Sequence, residues 1–567
     1  MYLKSRSVLG LLVLGLFCLW LVGCGSDTAI PTTTTGTISG VAAAGAPIVG
    51  TVTIKDSNGT GIEKTERIAA DGKYTIDVYG LTPPFALRAD GLVGRKEFHL
   101  YSIATAADVN GNINITPFTD LVVANIAGQS AANYYDSSGF STLTPTALNA
   151  AQTALQTKLQ PILSAVGLSG SVDLLRTRFN TDHTGLDAVL DLVKVAVDPA
   201  TATATITNIV NRETVTNKFA AKTYSNTFTS SGAISQAVAD IQAIINQQNQ
   251  YVSLFATDLP TPTDPRLLAL FDSETFLDKG RELTVYLSEI TAQDGMVGAA
   301  FANMVIDSID PNAGTAMVEF MPIRKGGRID QDNPKRFVKK NGVWLAQGDG
   351  WIVRAEISAR ADYNPYGSPV FKTGLYFDIW ANQPGNANVF SAVVTGPGLP
   401  ASGVAIDWWR FGDYGGYFHE FDNDVDIAAI PDNATYAISL YDYGNNLLAT
   451  YTQTLPKRPP KFGELSAASF PKFSEKFLGA LLTFTGGDMQ VSWTLPEGIY
   501  SYGIEFYLYG DPISNYAYTW KTVGGSDLST TLTIQPVTSS GTTFAPKYPR
   551  LSIYTKDIYG RWFVVIS

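Results

Sequence analysis

From Trp351 to the C-terminus the chain alternates. In "GLYFDIWA", "TYAISLYDYGNNLLATYTQTL" and "DMQVSWTLPEGIYSYGIEFYLYG" apolar and polar residues trade places at nearly every step, and Gly, Pro or Asn interrupts each run. A strand turns successive side chains to opposite faces, so period-two alternation between turn residues specifies antiparallel sheet with one buried face. That face must be covered, and packing two sheets together does so. A weak internal repeat divides the stretch: "VVTGPGLPASGVAI" parallels "VSWTLPEGIYSYGIEF", and "SLYDYGNNLLATY" parallels "SIYTKDIYGRWFVVI". The reading is two β-sandwiches, 351–456 and 462–567, joined through the proline cluster Leu455–Lys461.

Upstream the pattern changes twice. Between 37 and 95, alternation in Val49, Thr51 and Thr53 and in Tyr74, Ile76 and Val78 is broken by Asn58-Gly59 and Asp71-Gly72, which reads as β-hairpins. Between 96 and 234 the spacing is helical. Thr116 is a candidate N-cap with Pro117 at the first helical position. Leu148, Ala151, Leu155, Leu159, Ile162 and Val166 mark one helix, with Pro161 expected to kink or break it. Leu186, Val189, Leu190 and Val193 mark another, and Ile234, Val238, Ile241, Ile244 and Ile245 a longer third. From 235 to 350 helices give way to strands at 302–309, 316–322 and 336–340, ending in a hairpin at Asn341-Gly342 with Trp344 facing in. The fold class is therefore multidomain and mainly β with a helical middle region.

Three resemblances refine this. Ser39-Gly40-Val41, Gly45-Ala46-Pro47, Thr51–Ile54 and Asp71–Tyr74 resemble the carboxypeptidase regulatory-like, transthyretin-like sandwich, which is also described as a carbohydrate-binding-like fold; it implies a rigid module, not peptidase activity. The helix-then-sheet order of 235–350, closing on Asn-Gly-Val-Trp, resembles the NTF2-like cone, whose members often hold a pocket. The two C-terminal sandwiches are similar in layout to immunoglobulin or fibronectin type III modules (Ig-like).

The N-terminus supplies an address. Lys4 and Arg6 precede an apolar run from Val8 to Val22, too short for a comfortable membrane span. Leu21-Val22-Gly23-Cys24 resembles the lipobox of bacterial lipoproteins. The resemblance implies a signal peptide over 1–23, acylation of Cys24 (palmitate among the chains), and a tether over 24–36, the Thr-rich linker. Gly25 after the cysteine points to the outer membrane. Cys18 leaves with the signal, so no disulfide or thiol chemistry is expected beyond Cys24. The 51 acidic residues exceed the 40 basic ones, and an acidic surface repels nucleic acid. The expected partners are the membrane, through the lipid on Cys24, and a polysaccharide or another envelope protein.

Catalytic motifs are missing. His99, His183 and His419 are far apart; His419-Glu420 lacks the second histidine of a zinc helix, and neither a nucleophile elbow nor a phosphate loop occurs. Asp182-His183 reads as a helix-capping Asp beside a solvent-facing His. The acidic loops Asp108–Asn114 and Asp422–Asp426 have oxygen ligands that suit calcium, but turn chemistry and a solvated loop account for them, so no metal, cofactor or catalytic residue is assigned. The aromatic patch "DWWRFGDYGGYFHEFDND" stands out. Trp408, Trp409, Tyr414 and Tyr417 are the candidate ligand-binding residues, since flat rings beside donors and acceptors suit sugars. The expected function is a lipid-anchored cell-surface protein with a non-enzymatic binding or structural role. The alternative is a hydrolase or transferase with its pocket in 235–350.

Overall fold

The computed structural model describes residues 35–58, 62–137, 140, 142–229, 232–365, 370–380, 388–407 and 416–566. Cys24 and its lipobox, Trp408, Trp409 and Tyr414 lie outside them.

The first unit pairs Thr37–Val41 with Lys73–Asp77 and sets a second antiparallel sheet beside them, in the order Glu63–Arg67, Val49–Lys55, Phe85–Val93, Lys96–Ala104. Lys73–Asp77 alternates as expected, with Tyr74 and Ile76 buried and their neighbours exposed. The last hairpin carries this unit beyond residue 95, because Phe85–Val93 and Lys96–Ala104 stay in register from end to end and turn at Gly94-Arg95.

Thr116 does cap the helix Pro117–Ala127, its hydroxyl accepting from the Thr119 amide, and Gly128 ends it at φ 72°. The helix Pro145–Ala165 runs on past Pro161. Losing one backbone bond and straining a turn costs ~3 kcal/mol, but Leu159, Ile162 and Leu163 are fully buried on either side of Pro161 and hold the helix to the core. The region 96–234 is less helical than its spacing suggests. The helix Gly185–Leu192 stops before Val193, which opens an antiparallel meander of Val193–Asp198, Thr203–Asn208, Thr214–Lys218 and Thr223–Tyr224. Thr-rich alternation such as "TATITN" favours strand.

In 235–350 the helices Gly232–Ser253 and Leu283–Ile290 stand against a meander of Ala300–Asp310, Thr315–Ile323, Lys335–Lys340 and Val343–Gly348. Trp344 is buried and its indole N–H donates to Asp240 Oδ1 at 3.0 Å. One apolar core runs without interruption from Ile38 to Ala346.

The C-terminal half is two sandwiches sharing one sheet rather than two separate modules. Its seven strands lie in the order Gly416–Glu420, Val370–Trp380, Arg354–Asn364, Trp562–Ile566, Tyr548–Asp557, Ile499–Tyr509, Tyr516–Thr522. The join is a parallel pairing of Arg354–Asn364 with Trp562–Ile566, the first and last strands of the region. On one face of this sheet sit two cores. Ile357, Leu375 and Phe377 pack with Ile406, Tyr436 and Ile438, while Phe506, Ile553 and Phe563 pack with Val491, Trp493 and Leu532. Among the described residues no helix is long and apolar enough to cross a membrane.

Candidate functional site

The opposite face of the seven-stranded sheet meets the 235–350 unit, and a cleft lies between them. Its inner end is an apolar chamber of about 70 Å³ inside that unit. Tyr251 reaches it from Gly232–Ser253, Tyr286 from Leu283–Ile290, and Phe301, Phe320 and Phe337 from the sheet. The rings brace one another: Phe271 meets Phe276 edge-on at 5.4 Å, Phe276 lies 5.0 Å from Tyr286, and Phe301 lies 5.0 Å from Phe320. Offset and edge-on contacts of this kind keep aromatic walls rigid. Burial pushes the Tyr251 hydroxyl well above its ordinary range.

The chamber opens into a charged vestibule of about 310 Å³. Its floor is the sheet's polar face, with Arg354, Glu356, Tyr502 and Lys556; its rim is the 235–350 unit. Lys279 pairs with Asp332 at 3.0 Å and with Glu356 at 2.5 Å. Asp278 takes Arg281 at 2.7 Å and Lys335 at 2.5 Å. Arg354 pairs with Asp378 at 2.7 Å, and Arg324 with Asp330 at 3.3 Å. Burial alone would raise the Asp332 carboxyl, but Lys279 and Lys335 hold it well below the usual range. A general acid or base works best with a pKa near the working pH. Asp332, Glu356 and Asp330 are instead held as anions by their cationic partners, an arrangement that orients and binds. Lys556 differs from the other cations: among the described residues no carboxylate lies within 4 Å of it, and its ammonium sits over the rings of Trp562, at 4.0 Å, and Tyr502, at 4.9 Å.

A cluster of four rings lies on the same face, between the vestibule and the sheet edge. Tyr502 meets Trp562 at 4.7 Å and Trp520 at 6.3 Å, Trp562 meets Tyr554 at 6.0 Å, and Tyr554 meets Trp520 at 5.2 Å. Trp520 on the edge strand is 37% exposed and Tyr516 beside it 43%. Arg360, ion-paired with Asp362 at 2.6 Å, lies 5.0 Å from the Tyr376 ring and 5.7 Å from Tyr554. The residues expected to be polar on this face are thus largely aromatic. The signal is visible in "IYSYGIEFYLYG" and "NYAYTW", where Tyr and Trp occupy the outward positions of the alternation.

Of the residues singled out by sequence, Tyr417 is half-buried in Gly416–Glu420, packs against the first sandwich core and stacks 6.2 Å from Phe377. Asp424 and Asp426 lie in the first turn of the helix Asp424–Ala428, whose N-cap is Asn423, and the Asp424 carboxylate accepts from the amides of Phe462 and Gly463. Asp108 is bound by Arg176 at 2.6 Å. The three histidines lie in different units. His183 is a correction: it is 8% exposed, not solvent-facing, and its Nδ1 lies 3.0 Å from Asp191 Oδ2. Asp182 instead bonds Thr184 at the start of the helix. Glu97, His99 and Asp432 come close enough to suggest a metal centre, but the Lys457 ammonium already lies within 2.8 Å of Glu97 and 3.0 Å of Asp432.

These features define a multidomain, mainly β protein with a helical middle segment and a cleft where its units meet. No family model matches the chain, and no curated protein does. Among solved structures, the FN1–FN3 domains of chicken CNTN1 match at 11% identity, over 47% of this chain and 96% of that one, with a TM-score of 0.14. A tetra-tandem repeat from the extending region of a large adhesion protein matches at 11% identity, over 94% of this chain and 98% of that one, with a TM-score of 0.13. Superposition this loose assigns neither a site nor a partner.

Proposed function

We propose that this chain is a lipid-anchored protein of a bacterial outer membrane that binds an extended glycan without transforming it. The observation that carries this reading is the ring cluster of Tyr502, Trp562, Tyr554 and Trp520, which joins the vestibule to the edge strand. Sugar rings present flat C–H faces to aromatic planes and hydroxyls to flanking ion pairs. The engaged carboxylates of the 235–350 pocket support binding over hydrolysis or group transfer. Leu21–Cys24 and the Thr-rich tether support the anchor, with the first sandwich as a spacer. The test is a glycan array probed with the ectodomain starting at residue 25, wild type beside Trp520→Ala. A set of glycans retained by wild type and lost by the variant is expected; an array that wild type does not bind would refute the reading.

A further inference from the structure

The vestibule has a side cavity of about 50 Å³ where three parts of the chain meet. Arg95 enters it from the hairpin tip of the first unit, Gln331 from the 235–350 unit, and Arg354 and Lys556 from the seven-stranded sheet. Arg95 is 6% exposed. Its guanidinium is held by neutral acceptors only: Nη1 donates to Asn333 Oδ1 at 2.7 Å and to the Asp332 carbonyl at 3.4 Å, and Nη2 to the Thr454 carbonyl at 3.3 Å. Its Nε meets no acceptor, nor does Arg354 Nε or Gln331 Nε2, although all three atoms are buried. Lys556 adds an ammonium with no carboxylate within 4 Å among the described residues. The two carboxylates that line the cavity are already engaged, Glu356 with Arg354 and Lys279, and Asp378 with Arg354.

Ordered water could satisfy neutral donors, but it does not compensate charge. Burying a cation without a paired carboxylate is costly, and here the buried Arg95, the half-buried Lys556 and three unpartnered buried donors converge on one space. Burial pushes Arg95 and Lys556 below their ordinary ranges, and more distant carboxylates only partly offset this: Glu319, Glu356 and Asp332 at Arg95, Asp330 and Glu356 at Lys556. We propose that the side cavity is an oxyanion site that takes a phosphate or sulfate group. Donors from four chain segments suit a tetrahedral group with several acceptor oxygens better than a carboxylate with two. The proposal does not depend on the glycan reading, because cations without a paired carboxylate and buried donors without an acceptor carry it whatever occupies the ring cluster. The group could be a free ion or a substituent on a larger ligand in the adjoining vestibule.

The test is thermal melting of the ectodomain in phosphate, sulfate, glucose 6-phosphate and galactose 6-sulfate, each against chloride at matched ionic strength. A saturable rise in melting temperature is expected. Equal affinity for the inorganic ions and the sugar esters identifies a free ion as the ligand; tighter binding of the esters identifies a substituent. Lys556→Met should weaken the response at least tenfold while leaving melting in chloride unchanged or higher, since the ammonium has no ion pair to lose. Gln331→Leu, remote from the sheet's hydrogen bonds, should weaken it as well and serves if the first variant does not fold. Absence of any anion-specific rise in wild type, or an undiminished rise in both variants, overturns the proposal.

Discussion

His183 shows what a sequence conceals about a titratable side chain. Asp182 beside it invites a surface reading, yet the partner that matters is Asp191, brought round by the helix Gly185–Leu192. Burial alone would lower the imidazole, but Asp191 outweighs it and raises the group to about 9. Burial raises the nearby Asp187 carboxyl to about 7. In each case the folded state holds its proton more tightly than the unfolded chain, where a histidine titrates near 6.5 and an aspartate near 3.8. The His183 contribution is therefore complete below pH 6.5 and lost as pH rises through 9; the protonated Asp187 contribution fades between pH 4 and 7. The stability difference between wild type and His183→Asn should shrink by about 1–3 kcal/mol from pH 6.5 to 9, at ~1.4 kcal/mol per unit of pKa difference. A difference independent of pH, measured by urea denaturation, would mean that the buried pair is uncharged.

At the scale of elements, local chemistry was well encoded and partnership was not. Turn residues and alternation place the strands of 351–567, and Thr116-Pro117 places a helix start, because these depend on neighbours in sequence. The parallel pairing of Arg354–Asn364 with Trp562–Ile566 has no local signal; it joins the two ends of the region and turns two expected sandwiches into one structure. The same topology builds the vestibule. The charge runs "DKGRE" and "DQDNPKR" look like solvated loops until the sheet face carrying Arg354 and Glu356 is set against them. Val564→Pro removes a ladder donor from the central strand, at ~3 kcal/mol or more. Hydrogen exchange should then lose slow amides in Arg354–Asn364 as well as in Tyr548–Asp557. Protection that persists in Arg354–Asn364 would show that the halves are independent.

For the molecule as a whole, pattern changes divide the sequence near residues 95 and 234, but the apolar core from Ile38 to Ala346 ignores both divisions. Arg95 then ties that block to the C-terminal half through the Thr454 carbonyl. The candidate site arises only from this assembly, so no motif could have announced it; what was legible was the excess of outward-facing rings. Beyond Cys24 the chain has no cysteine, so melting of the ectodomain should be indifferent to dithiothreitol; a shift of several degrees would require a covalent link through some other chemistry. The anchor is tested by Cys24→Ala, which should abolish fatty-acid labelling that the wild-type precursor acquires. The central claim is that the ring cluster holds the ligand. Its most direct test is calorimetric titration of the best array glycan into wild type and Trp520→Ala, with melting of both. Trp520 is 37% exposed and meets Tyr554 and Tyr502, so its loss should cost ~1–2 kcal/mol of stability without unfolding the protein, while loss of an aromatic anchor should cost ~2 kcal/mol of affinity, about thirtyfold. Unchanged affinity in a normally folded variant would contradict the account.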